Sequence, residues 1–292
     1  MLFHSFIHIP GIGAKTERLL WESGIHQWSD VREPLPAALP VAKARLLLRY
    51  VEERRQLLEE SPVDFAKLMP IAERWRLFPL FREKTAYLDI ETNGHFGEYT
   101  QVTAIALYDG RTVRTYVQGE NLVDFAADID RYAMLVTYNG RAFDVPVLER
   151  AFGIRLRQVH LDLRHILYRL GVKGGLKGCE KRFGLDRGPL EGLDGYAAVI
   201  LWEEYQRSGD RRFLETLLAY NVEDTVNLEP LMVHAYNANL ATTPFVQTRL
   251  PQPQVPRRPF AAHPEIVCRI RARFAEGNSY LGRKPPADRS RD

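Results

Sequence analysis

Cysteine is scarce in this chain: two in 292 residues, Cys179 and Cys268, neither in a C-x-x-C pair. That excludes a disulfide framework and zinc-finger spacing, and fits a reducing, cytoplasmic setting. No apolar run approaches the roughly 18 residues that a membrane span needs, so no membrane partner is expected. The start, MLFHSFIHIPGIG, lacks a basic n-region and a small-residue cleavage site, and does not read as a signal peptide. Compositional extremes are missing too. With 45% hydrophobic and 26% charged residues, wholesale disorder and collagen-like repeats are excluded. No internal repeat is found. The length gives room for about two domains and a sizeable core.

Charge is present in both signs but unevenly placed. Residues 1–84 carry 13 Lys+Arg against 11 Asp+Glu, and residues 85–240 carry 17 against 22. Residues 241–292 carry 10 against 4. An acidic centre suits a site that collects cations, and basic ends suit a polyanionic partner. Solvated surface explains the same pattern, and charge alone favours that reading.

The hydrophobic periodicity gives an α/β order. Residues 41–60 read as one amphipathic helix, stopped by Ser61-Pro62. Three strands follow, at 85–91, 101–108 and 111–118, with Asp109-Gly110 opening a hairpin between the last two. A helix at 121–130, a strand at 134–138, a helix at 142–152 and a short strand at 158–161 come next. Helical patterns then run to about residue 236. This order predicts a mixed sheet flanked by helices. We divide the chain into a helical region at 1–70, an α/β domain at 80–240 and a Pro/Arg-rich basic tail at 241–292. Within the tail, LPQPQVPRRP should be extended, residues 263–274 should form a short basic helix, and the last dozen residues should be disordered.

Three segments place acids in a way that calls for chemistry. Asp89-Ile90-Glu91 ends the first strand of the α/β domain, and alternation puts both carboxylates on one face. Two such groups repel and desolvate badly, so a cation, most simply a divalent metal, should compensate them. Solvated acids at a strand end are the bland alternative, and for an isolated D-x-E they are the commoner case. Asp144 falls in the first turn of a helix, where the dipole favours any acid. Tyr220 and Asp224 are four apart and share a helix face, which alone describes an ordinary surface hydrogen bond equally well. Asp162 and Asp194 read as helix N-caps. His160 and His165 lack a partnered metal spacing and read as structural. Gly174, Gly175 and Lys177 suit phosphate contact or a flexible helix entry equally.

Taken together, D-x-E, YNGRAFD and Y-x-x-x-D in this order resemble the DEDD superfamily of RNase H-like 3′→5′ exonucleases. Tyr220 matches the tyrosine subclass, since the position used by the histidine subclass is Ala219 here. YLDIET and YNGRAFD are similar to proofreading motifs of family B DNA polymerases. GGLKGCEKRFGL and LLAYNVEDTVNL more closely resemble the stand-alone, YprB-type bacterial exonucleases. The likeness spans residues 80–240. It implies an RNase H-like (DnaQ-like) fold that binds two Mg²⁺ or Mn²⁺. Asp89 would bridge both ions, Glu91 and Asp224 would hold the one that activates water, and Asp144 the other. Tyr220 would orient the water, since a tyrosine pKa near ~10 argues against full base action. Thr92, Asn93 and Asn139 would lie near the terminal nucleotide.

At the N-terminus, HIPGIGAKTERLLWESGI is similar to the second half of a helix-hairpin-helix. Gly11, Gly13 and Lys15 would meet a DNA phosphate, with Ile12, Leu19, Leu20 and Ile25 as core. The reading that results is a metal-dependent exonuclease on single-stranded nucleic acid ends, DNA favoured and RNA the other candidate. An inactive nucleic-acid-binding module and a structure-specific endonuclease are the competing classes. The basic tail is expected to add phosphate contacts, or else to pack its apolar stripe back on the α/β domain or on a partner.

Overall fold

The computed structural model describes residues 1–281, and side chains up to 273. Three helices open the chain: α1 (Ala14–Glu22), α2 (Val41–Glu60) and α3 (Pro62–Leu68). A 3₁₀ stretch, Ile71–Leu77, and a single turn, α4 (Phe78–Phe81), then lead into the sheet. Here Arg76 is buried against Glu17 of α1, with both Glu17 oxygens within 2.9 Å. Glu17 also accepts from Ser5 Oγ and the Phe6 N–H, so the buried pair is fully hydrogen-bonded.

The sheet has five strands: β1 (Thr85–Thr92), β2 (Val102–Tyr108), β3 (Val113–Val117), β4 (Met134–Thr137) and β5 (Val159–Asp162). Their order is β3-β2-β1-β4-β5. β1 and β2 are antiparallel, as are β2 and β3, while β4 runs parallel to both β1 and β5. The β2–β3 hairpin closes where Asp109 Oδ1 accepts the Arg111 and Thr112 N–H groups. β3 is shorter than the alternation at 111–118 predicts, because Arg111 and Thr112 belong to that turn.

Alternation along β1 sorts the core. Ala86, Leu88 and Ile90 pack against α5 (Phe125–Ile129) and α6 (Asp144–Phe152). Tyr87 faces the other way, and Asp89 and Glu91 follow it by period 2. That second face is covered by α7 (Leu163–Arg169), α8 (Gly175–Arg182), α9 (Gly195–Ser208), α10 (Arg211–Val226) and α11 (Leu228–Leu240). α10 is buried on nearly every side, from Phe213 to Val226, so its sequence shows little amphipathic contrast.

The tail folds back on this layer. Ile266, Val267 and Ile270 of α12 (Pro264–Leu281) are buried with residues of α9 and α10. Four of the tail's arginines have partners within the protein. Arg258 grips both oxygens of Glu223, Arg269 and Arg273 reach Glu204, and Arg271 reaches the carbonyls of Pro189 and Glu191. The apolar stripe of the tail therefore packs back on the α/β domain, as one of the expectations has it. The expected disorder of the last dozen residues falls, from 282 onward, outside the described residues. Among the described residues, no helix is long and apolar enough to cross a membrane.

Candidate metal centre

β1 carries Asp89 and Glu91 at its end, where the register to β2 slips between Glu91 and Thr92. α10 crosses the same face and brings Tyr220, Asn221 and Asp224. Ligand oxygens of Asp89, Glu91 and Asp224 all lie within 4.8 Å of one another. Glu91 and Asp224 are buried and Asp89 is half-buried. Asn221 fixes Asp89, its Nδ2 donating to Oδ2 at 2.7 Å.

Asp144 reaches the site from the opposite layer. It is buried at the first position of α6, where the backbone N–H groups of its own residue and of Ile90 of β1 favour its charged form. It stands outside the group of three whose oxygens converge.

Electrostatics show what this arrangement lacks. Burial, then mutual repulsion, pushes Asp89 and Glu91 well above the usual carboxylate range. Burial raises Asp144 to about 7. Asp224 is also raised by burial, although Arg187, Lys177 and Tyr220 pull it down. Arg187 is buried, pairs with Asp224 and is held from behind by both oxygens of Glu180 at 2.8–2.9 Å. The Lys177 ammonium sits on the Leu193 carbonyl, over the Tyr220 ring at 5.0 Å from its centroid. Two cations, one of them already shared with Glu180, do not neutralise four clustered acids. A set made only of hard carboxylate oxygens, raised in pKa and short of positive charge, fits a divalent cation of the Mg²⁺, Mn²⁺ or Ca²⁺ type.

Tyr220 is buried between Lys177 and Arg187, whose Cζ lies 5.3 Å from the ring centroid. Burial and the neighbouring carboxylates push its hydroxyl far above the ordinary tyrosine value, so it stays protonated.

A groove of about 520 Å³ opens from Asp89 and Asp224 along Tyr138, Asn139, Arg164 and Tyr168 to Lys173 and Gly174. Asn139, at the start of the 139–141 loop, lines one side of it. Asn139 takes positive φ (67°), which asparagine tolerates better than most residues, and its Oδ1 accepts from Arg164 at 2.6 Å. Asp162 anchors that loop by accepting the N–H groups of Asn139 and Arg141 while capping α7 through Arg164 N. Gly140 is required here, since a Cβ would overlap Thr137 Oγ1 and lie 2.6 Å from the Thr137 Cβ.

The remaining expected contacts fall as follows. Thr92 is half-buried at the end of β1. Asn93 uses its amide to shape the 93–101 loop, donating to the Tyr99 carbonyl and accepting from the His95 and Gln101 N–H groups. Gly11, Gly13 and Lys15 form an exposed tip at the start of α1, over buried Ile12, Leu20 and Ile25 and half-buried Leu19. Asp194 caps α9. Sequence reasoning missed Asn221, Arg187 and Glu180. Only Asn221 carried a signal, lying three before Asp224 on one helix face.

A five-stranded mixed sheet flanked by helices, with carboxylates gathered between its central strand and a late helix, is an RNase H-like nuclease fold. A family model for the RNase H superfamily matches residues 86–236, more than half of the sequence, and the chain belongs to that superfamily. No curated protein matches. Among solved structures, the chain is similar to the family B DNA polymerase from the hyperthermophilic archaeon Pyrobaculum calidifontis. Identity is 20% and the TM-score 0.41, over 56% of this chain and 26% of the polymerase chain. It is also similar to a protein described as the apo form of a nuclease, at 17% identity and TM-score 0.39, over 72% of this chain and 91% of that one. The chain thus spans about a quarter of the polymerase it matches.

Proposed function

We propose that this chain is a metal-dependent 3′→5′ exonuclease of the DEDD tyrosine subclass, akin to the stand-alone YprB-type enzymes, acting on single-stranded ends with DNA favoured over RNA. The observation that carries the reading is the convergence of Asp89, Glu91 and Asp224 within 4.8 Å beside a buried, neutral Tyr220. Asp89, Glu91, Asp144 and Asp224 would hold two Mg²⁺ or Mn²⁺. When bound, such ions supply an activated water and neutralise charge on the phosphate and the leaving oxygen.

The chain's own residues do the rest. Asn221 holds Asp89 in one orientation, and Arg187, braced by Glu180, does the same for Asp224. The Tyr220 hydroxyl, kept protonated, orients the attacking water by hydrogen bonding rather than by removing a proton. Tyr138 and Tyr168 offer faces for stacking bases, and Arg164 and Lys173 offer charge to phosphates along the groove. Asn139, Thr92 and the loop shaped by Asn93 border the terminal nucleotide. We assign residues 1–70 to a helix-hairpin-helix-like region whose tip, Gly11, Gly13 and Lys15, meets DNA backbone, residues 80–240 to the nuclease domain, and residues 241–292 to the basic tail.

Degradation of 3′-labelled against 5′-labelled single strands, of DNA and of RNA, tests this reading. Release of labelled mononucleotides from the 3′ end, ahead of any 5′-labelled mononucleotide, is expected. Cutting of a closed circular single strand would replace the exonuclease with an endonuclease. Binding without turnover under any metal would leave a binding module.

A further inference from the structure

A second cavity, of about 640 Å³, lies between the 3₁₀ stretch 71–77 and the β5–α7 corner. Arg74, Arg141, Arg169 and His165 line it together with the apolar side chains of Ile71 and Ile166. Its volume is in the range of pockets that take a small organic ligand. Such a lining, arginines over aliphatic surface, suits a phosphate carried on a flat apolar ring.

The arginines are only partly balanced from within. Glu73, on the same 3₁₀ stretch, bonds Arg76 at 2.9 Å and stands 3.5 Å from Arg169. Both oxygens of Asp162 are taken by the backbone N–H groups of residues 139, 141 and 164. Arg74 reaches only the Met69 carbonyl, at 3.4 Å, while Arg169 adds the Ala72 carbonyl at 2.5 Å to its Glu73 pair. The exposed Arg141 guanidinium has no hydrogen bond or ion pair among the described residues. His160 at the back donates or accepts through Nε2 with Thr137 Oγ1, and burial keeps it neutral, with a pKa lowered to about 4. Burial and the charge of Arg141 both press on Arg74. An anion in this cavity would relieve that repulsion.

The cavity adjoins the catalytic groove. Asn139 and Arg164 line the groove, while Arg141 and His165, two and one residues further on, line the cavity. Across the sheet, β1 pairs with β4 and β4 with β5, so the Asp162 corner lies two strand spacings, about 10 Å, from Asp89. We infer that this cavity is a subsite for the nucleic acid strand itself, taking an upstream nucleotide whose phosphate meets Arg74, Arg141 and Arg169 and whose base rests on Ile71 and Ile166. The inference builds on the nuclease reading and names where the strand goes once it leaves the acids.

Binding in EDTA separates the two, because it requires no turnover. Anisotropy of a labelled long single-stranded oligonucleotide would be compared for wild type, Arg141→Glu and Arg141→Lys across a salt series. The Arg141 side chain makes no hydrogen bond or ion pair among the described residues, so the variants should unfold at the wild-type temperature. For Arg141→Glu we expect affinity about tenfold lower and a log–log salt slope shallower by about 0.7 for each phosphate no longer neutralised, with Arg141→Lys recovering most of both. Wild-type affinity and slope in Arg141→Glu would overturn the inference. So would a defect confined to a free nucleoside monophosphate, which would make the cavity a mononucleotide site. A wild type that binds in this way but never hydrolyses would sink the nuclease reading and leave the subsite standing.

Discussion

Replacing Asp144 with asparagine should stabilise the metal-free protein at neutral pH, although it removes a group proposed to serve catalysis. Burial lifts this carboxyl from 3.8 to about 7. At 1.36 kcal/mol per unit, that rise of roughly three units amounts to about 4 kcal/mol of penalty for holding the charge in the folded state. The direction follows from proton uptake. Between the two values the folded state binds the proton and the unfolded state does not, so stability falls as pH rises from about 4 to about 7 and then levels off. Asparagine keeps a carbonyl oxygen for the backbone N–H groups and abolishes the titration. In EDTA at pH 8 the variant should therefore melt roughly 10 °C above wild type. At pH 2.5, well below both values, the wild-type carboxyl is neutral in both states and the two melting temperatures should converge. Calorimetric or circular-dichroism melting curves read both points. A variant less stable than wild type at pH 8, or a gap independent of pH, would refute the argument.

Three further outcomes can be checked. Tyr220→Phe retains the ring between Lys177 and Arg187, so folding should be unchanged while kcat drops about 100-fold at constant KM, measured by steady-state hydrolysis. Arg187→Met leaves Glu180 and Asp224 buried without their shared cation, and denaturant unfolding should show a loss of about 3–5 kcal/mol. Gly140→Ala forces a methyl into Thr137, and should cost about 1–3 kcal/mol in the same assay while weakening strand binding through the 139–141 loop.

Asp89, Glu91 and Asp224, which the structure brings together, stood out through the combined resemblance of their motifs, to which spacing added only a shared face. D-x-E shares a strand face by period 2, and Y-x-x-x-D shares a helix face by period 3.6. The mixed sheet followed from strand and turn signals; most strand ends shifted by one residue, and β3 lost two at its start to the turn. What no local pattern shows is pairing across the chain. Arg187 sits in a loop that reads only as a break between helices, yet it is the buried partner of Asp224. Asp162 reads as a helix cap, which it is, while its second task of pinning the 139–141 loop depends on β4 and β5 lying side by side. Charge counting is blind to pairing for the same reason: Arg258 and Arg273 look free in sequence and meet Glu223 and Glu204 in space.

The most direct measurement is hydrolysis of a single-stranded oligonucleotide as Mn²⁺ is titrated into metal-free protein, for wild type beside Asp89→Asn. The proposed centre predicts no turnover in EDTA, saturable activation by the ion, and loss of at least about 1,000-fold in the variant with its fold intact. Turnover that persists in EDTA, or that Asp89→Asn leaves unchanged, would contradict it.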